Sequence, residues 1–430
     1  MAWAARGAEA DSSPPVGRWG ALSYPNYRRF WFASLVRVMG MQFHIFAVGW
    51  LVVDVLERSA FWLGAVGFAQ AIPTILLSVP AGALADRVEH RRLLLASQAM
   101  LTVNYLVLAL LIMTGHASIG YVIVWAGVTG CLSALGNPAQ NAILPRLIEM
   151  RAITSAVALM SAIWNGTRII APGLAGVLIA VMGVGEAFLA AAVAFALSVV
   201  LILTLKIAPM PAAQHGVDRS LLGGLKYVAG NRIFLAVVGL SFFSSMFGSS
   251  YLYLMPVFAK EILGVGSTGF GILGGAGGTG ALLGTLAVVR FGQTPYRGQM
   301  MLGSAALSGL LVAAFATSTI FALSLVLTFA AGFVASIYLN LGMTTLQILV
   351  PDELRGRVMG VWSMTYFLTP VGAFAVGGGA EFIGTQAMVA LGGLSVTLFA
   401  AALYAVSPEL RSVPSAPVGG HGGPTRAGSR

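Results

Sequence analysis

Long apolar runs, each ended by a short polar connector, follow one another along the chain from residue 30 to residue 406. Peptide groups cannot be left unpaired in hydrocarbon, so an apolar run of about 20 residues reads as one helix crossing a bilayer. Twelve runs meet this description: Phe30 to Val55, Phe61 to Ala85, Leu93 to Thr114, Ile119 to Leu135, Ala156 to Met182, Ala187 to Leu205, Phe234 to Phe258, Gly266 to Val289, Met300 to Ala316, Ile320 to Leu341, Val358 to Gly379 and Ala387 to Val406. The segment from Ala208 to Arg232 divides them six and six. Within it Leu221, Leu222, Leu225 and Val228 fall on one helical face beside Lys226, the pattern of a short helix lying on a membrane surface. The pattern therefore predicts an all-α membrane protein with twelve transmembrane helices in two six-helix bundles, over 26–207 and 233–407. The linker is 208–232, and flexible tails are expected over 1–25 and 408–430. No cleavable leader is expected, because the first twenty residues are polar and loose (Asp11, Ser12, Ser13, Pro14, Pro15). Beyond Ser407 the chain is rich in Pro, Gly and Ser and reads as disordered.

Composition agrees with lipid as the solvent. Hydrophobic residues make up 58% of the 430 and charged residues 9%, too few to cover a soluble fold of this length. The formal net charge of +10 raises nucleic acid as a partner. The basic residues, however, form short clusters between apolar runs rather than a continuous stripe, so no nucleic-acid partner is expected. With an even number of spans, 20 of the 24 Lys and Arg fall on the side of the two termini, and only Arg58 and Lys260 fall in the opposite loops. Positive loops stay in the cytosol, which predicts cytoplasmic termini in the inner, or cytoplasmic, membrane of the cell. The single cysteine, Cys131, excludes an intramolecular disulfide and any multi-cysteine metal site, and no cofactor is expected.

The two groups of spans also resemble each other. Gly64, Gly67, Phe68, Gly82, Leu84 and Ala85 recur at one constant spacing as Gly266, Gly269, Phe270, Gly284, Leu286 and Ala287, and Pro145 and Arg151 recur as Pro351 and Arg357 at a slightly different one. Two similar bundles suit a transporter in which the halves rock around a site between them.

The sharpest local signal is Gly82-Ala83-Leu84-Ala85-Asp86-Arg87-Val88-Glu89-His90-Arg91-Arg92 at the end of the second run. Gly82 permits close helix approach, and Asp86 with Arg87, Arg91 and Arg92 can form charge-assisted contacts where the halves meet. This segment resembles the loop between the second and third helices of the major facilitator superfamily. The resemblance implies that the cluster bridges the halves and stabilises the outward-facing state. In the second half Val288 stands where Asp86 does, so that copy lacks the acid. Further segments resemble the drug- and siderophore-exporting branch that includes the enterobactin exporter. They are Asn26-Tyr27-Arg28-Arg29-Phe30-Trp31, Asn137-Pro138-Ala139-Gln140-Asn141-Ala142-Ile143-Leu144-Pro145, Asn165-Gly166-Thr167-Arg168 and Arg355-Gly356-Arg357-Val358. The stretch Ile169-Ile170-Ala171-Pro172-Gly173-Leu174-Ala175-Gly176 is similar to the Gly-Pro motif of exporters, with Ala171 and Ala175 in place of glycines.

Ionisable groups within spans are costly and mark candidate function. Arg168 falls near mid-membrane. Arg37 lies closer to the inner end and is expected to snorkel to that surface, or to join Arg168 in a cavity attracting an anionic or catechol-like cargo. The alternative holds Arg168 on carbonyls, on Asn165 or on a neighbouring helix as a packing element. His44, the one histidine inside a span, is a candidate for proton transfer or a satisfied core residue. Gln70, Asn104, Trp164, Asn165, Tyr338, Asn340, Trp362 and Tyr366 are further candidates for the cavity wall. No carboxylate falls deep in the bilayer. If transport is coupled to protons, as the resemblance implies, Asp54 and Glu381 at the outer ends are the candidate groups.

The leading expectation is a monomeric secondary transporter exporting a small amphipathic molecule by proton antiport. The rivals are an importer or facilitator on the same fold and a transport-inactive sensor or scaffold. No Walker-type loop occurs, and the spans contain no catalytic cluster of the spacing an enzyme needs.

Overall fold

The computed structural model describes residues 20–85, 88–205, 221–291 and 296–411. Among the described residues twelve helices are long and apolar enough to cross a membrane: α1 (Pro25–Val55), α2 (Ala60–Ala85), α3 (His90–Met113), α4 (Ile119–Arg146), α5 (Met150–Val181), α6 (Val184–Leu203), α7 (Arg232–Ile262), α8 (Gly266–Phe291), α9 (Arg297–Thr317), α10 (Phe321–Leu349), α11 (Leu354–Ile383) and α12 (Thr385–Val406). Large apolar side chains such as Val103, Leu110, Val200 and Leu398 are exposed on the outside of the bundle, where acyl chains are their proper solvent.

Several boundaries differ from the sequence pattern. Helix α1 begins five residues early, because Pro25 starts its first turn and Arg29 donates to the Thr204 carbonyl at 3.0 Å. Helix α4 runs on past Leu135. Gly136-Asn137-Pro138 reads as a breaker, yet proline is tolerated inside a membrane helix whose neighbours re-satisfy the backbone. Parts of both expected tails are docked. Gly20–Ser23 forms a turn with Ala21 fully buried, and Pro408–Arg411 forms another with Leu410 buried against Gly298. Residues 1–19 and 412–430 lie outside the described residues. The linker helix is Leu221–Ala229, and it packs on the start of α11 through Val228.

The two halves repeat one packing scheme. In the first, α2 packs on α4, α3 on α4 and α6, and α1 on α5 and α6; in the second, α8 packs on α10, α9 on α10 and α12, and α7 on α11 and α12. The halves meet along two symmetry-related seams, α5 on α8 and α2 on α11.

Both seams lie away from the termini. A Cβ on Gly64 would fall 2.5 Å from the Ala373 carbonyl, one on Gly176 2.5 Å from the Ser267 carbonyl and one on Gly377 2.6 Å from the Ala60 carbonyl, so backbones touch where only glycine fits. Lys260 bridges the halves at the same end, with Nζ 3.1 Å from Asp54 and 3.0 Å from the Val53 carbonyl. Towards the termini the halves part. Nothing lies within 4 Å of a Cβ placed on Gly82, Gly166 or Gly356, and Leu76 and Trp164 are exposed. The molecule is closed on the side opposite the termini and open on the side that carries them.

Candidate functional site

Beneath the closed end lies a cavity of about 410 Å³ between the halves. Helices α1, α2, α5, α7, α8 and α10 all reach it. Its roof is aromatic: the Phe270 ring lies 4.8 Å from Phe46 and 6.1 Å from Trp50, centroid to centroid. Gly274, Gly277 and Gly278 give α8 a bare backbone there, and Gly278 abuts the Arg168 carbonyl directly. Most of the wall is apolar, with polar groups from Gln42, Gln70, Ser244, Tyr251 and Tyr338.

Among the described residues Arg168 is the only cation on this wall. Its side chain is exposed to the open cleft, makes no hydrogen bond or ion pair among the described residues, and lies within electrostatic reach of Tyr251 and Tyr366. The alternative in which carbonyls or Asn165 hold it is not what the structure has: Asn165 Nδ2 instead donates to the Ser161 carbonyl at 2.8 Å. Trp164, one turn earlier on the same face, is exposed. A free guanidinium in an apolar, aromatic-roofed space can attract an anionic or polarisable guest.

Helix α7 shapes the facing wall. It widens into a π turn at Ser244–Gly248, and Ser250 Oγ donates to the Met246 carbonyl. Gly372 of α11 packs on that same carbonyl, and Ser241 pairs with Thr365 at 2.6 Å. A π turn rotates the face that follows it, which turns Tyr251 and Tyr253 towards the cavity.

A second cavity, of about 330 Å³, opens beside the first and penetrates the first half. His44, Gly67, Gln70 and Tyr253 line both. Arg37 lies here. It does not snorkel to the surface: its side chain is buried, because α1 continues well beyond it towards the termini, and Tyr105 and Gln98 of α3 line the same cavity. Tyr105 hydroxyl pairs with His44 Nδ1 at 3.0 Å, and Trp125 stands edge-on to both rings. Tyr366 lines this second cavity from the point where α11 breaks.

Other expected wall residues lie elsewhere. Asn104 Nδ2 donates to Thr129 at 2.9 Å, tying α3 to α4, and Asn340 Nδ2 donates to Thr285 at 3.2 Å, tying α10 to α8. Trp362 is buried in the core of the second half against Gly342. Asp54 is engaged with Lys260 at the closed end, and Glu381 is exposed at the far end of α11; neither lines a cavity. Of the motif loop, Asp86 and Arg87 lie outside the described residues. Gly82 has no neighbour because the cleft is open there. Arg91 binds its own half, donating to the Leu203 carbonyl at 2.6 Å, and Arg92 pairs locally with Glu89 at 2.7 Å.

Gln42, Gln98, Ser244, Tyr251 and Tyr253 line the cavities without having been singled out in the sequence, and Gln140, quoted there only within a motif, lines the second. The glutamines were detectable, since an amide in a membrane span asks for a partner just as Gln70 does. Among the described residues no group of three His, Cys, Asp or Glu could hold a metal ion.

The family model for transmembrane secretion effectors matches residues 16–419. The chain is 27% identical over 395 residues to the staphyloferrin A transporter of Staphylococcus aureus, covering 89% of this chain and 96% of that one. It is 27% identical to the multidrug efflux pump Tap of Mycolicibacterium fortuitum, covering 83% and 89%, and 25% identical to the enterobactin exporter EntS of Shigella boydii, covering 77% and 79%. The crystal structure of the nucleoside transporter NupG shares the fold, with a TM-score of 0.71, 15% identity and coverage of 88% and 98%.

Proposed function

Because the chain belongs to the transmembrane secretion effector family of the major facilitator superfamily, and is thus a multi-pass membrane transporter of small molecules, we propose that it exports an amphipathic solute of the drug or siderophore kind. The halves rock about the two seams, so that the cavity faces one side of the membrane at a time. The observation that carries this reading is the cavity itself: apolar and aromatic, with one unpaired cation, closed at one end and open at the other. With the charge bias placing the termini in the cytosol, the open end faces the cytoplasm, where cargo for export is collected. One chain encloses the whole cavity, so the working unit is a monomer.

Export is driven by protons in exchange. The carboxylates expected for this, Asp54 and Glu381, are remote from both cavities, whereas His44 borders both and is hydrogen-bonded to Tyr105. Coupling accordingly resides at His44.

Everted and right-side-out vesicles loaded with the protein distinguish export from import. A lipophilic dye should accumulate in everted vesicles under an inward-acid gradient and be released when the gradient is collapsed. Uptake confined to right-side-out vesicles would replace this reading with an importer on the same fold.

A further inference from the structure

The second cavity holds a charge that no ion pair among the described residues neutralises. Arg37 is only 8% exposed, its Nε has no hydrogen-bond partner, and no ion pair to it occurs among the described residues. In the lining of the same cavity Gln98, 3% exposed, has an unpaired Oε1. A buried guanidinium without a counter-ion is among the more unfavourable arrangements a membrane helix can carry, and an apolar residue of similar size would be more stable there. Burial also removes the snorkelling route by which a surface arginine reaches water.

We propose that this pocket is a binding site for a carboxylate, in which Arg37 supplies the charge-assisted pair and Gln98 turns its amide to complete the contact. The inference deepens the export reading above and rests on it for the identity of the guest as cargo: the cargo carries an acidic arm. The two cavities share His44, Gly67, Gln70 and Tyr253, so a molecule in the space between the halves reaches the pocket without crossing a helix. The body of the molecule occupies the aromatic-roofed cavity near Arg168, while its acidic arm enters the first half. Leu101, Tyr105 and Phe195 give the pocket an apolar wall suited to a flat or aromatic acid rather than to a bare hydrated ion. Tyr366 closes it from α11 of the other half, so occupancy of the pocket touches both halves.

The test uses benzoate and its neutral isostere benzamide with the full chain in detergent micelles, read by calorimetry and by thermal melting. Benzoate should bind saturably, benzamide about tenfold more weakly or worse, and Arg37→Gln should weaken benzoate by about tenfold or more. Arg37→Lys should retain part of the affinity. The melts guard against misfolding: without ligand, Arg37→Met should melt higher than the wild type, because it removes an unpaired buried charge. A lower melting temperature for Arg37→Met would show that the guanidinium is already paired within the protein. Equal binding of benzamide, or unchanged benzoate binding by Arg37→Gln, would equally overturn the site. Binding in micelles is independent of transport direction. A chain that binds benzoate through Arg37 yet accumulates dye only in right-side-out vesicles refutes export alone.

Discussion

The seams α5/α8 and α2/α11 are counterparts under the internal repeat, yet they are built differently. Along α5/α8 backbone lies on backbone: Gly271 abuts the Pro172 carbonyl, Gly278 abuts the Arg168 carbonyl, and Gly176 faces Ser267. Along α2/α11, Gly64 and Gly377 make similar contacts, but Phe61 and Phe68 also bracket Phe374, with ring centroids 5.2 and 4.9 Å apart. A glycine contact depends on a missing atom, so it tolerates no addition. A ring contact depends on area, so it can be weakened by degrees. The first seam should therefore respond to substitution as a switch and the second as a graded spring.

The largest effect should come from Gly271→Leu, whose side chain has the Pro172 carbonyl in its way. Overpacking of this kind costs about 1–3 kcal/mol or more, and transport should fall by over about tenfold. With Cys131→Ser as background, Ser267→Cys, buried at the seam, should then become reactive to a membrane-impermeant maleimide added opposite the termini. Unchanged labelling would mean that the seam does not hold that side shut. Phe374→Ala should act more gently. It removes two ring pairs of about 0.5–1.5 kcal/mol each, shifting the closed-to-open ratio about tenfold, and Phe374→Leu should recover part of this. Labelling of Ala60→Cys, at the other seam, reads that shift. The smallest change belongs to Asp54→Asn. The Asp54–Lys260 pair bridges the halves with both side chains 33–41% exposed, so solvent screening leaves it about 0–1 kcal/mol. Transport should change by less than about fivefold and keep its response to a pH gradient. Loss of that response alone would return the coupling role to Asp54 and take it from His44.

The seams were half visible in the sequence. Gly64 recurring as Gly266 and Phe68 as Phe270 announced the twofold scheme, and hydropathy supplied all twelve helices, because lipid forces every backbone group to pair within its own segment. Arg168 was legible for the same reason: a charge in hydrocarbon is rare enough to stand out. Which face a neutral residue presents was not legible. Asn104 and Asn340 look like cavity residues in a hydropathy plot, yet a helix pair can use the same amide to reach a hydroxyl on its neighbour, and both are spent on threonines of the adjoining helix. Tyr251 and Tyr253 were hidden for another reason. The π turn just before them shifts the periodicity, so a constant turn of 3.6 residues aims them wrongly. The bridge expected of the motif loop joins ends that are apart when the cleft is open, and its Asp86 and Arg87 lie outside the described residues.

Helix α8 touches α5 with Gly271, Gly274 and Gly278, and α10 with Gly277, Gly280 and Gly284. Helices ordinarily interlock like gears, the ridges of one seated in the grooves of the next, and a displacement must lift each tooth over its neighbour. A rod smooth on two faces has no teeth to clear. If the halves rock as proposed, that smooth face can serve as a bearing against α5, and each glycine lost from it adds friction.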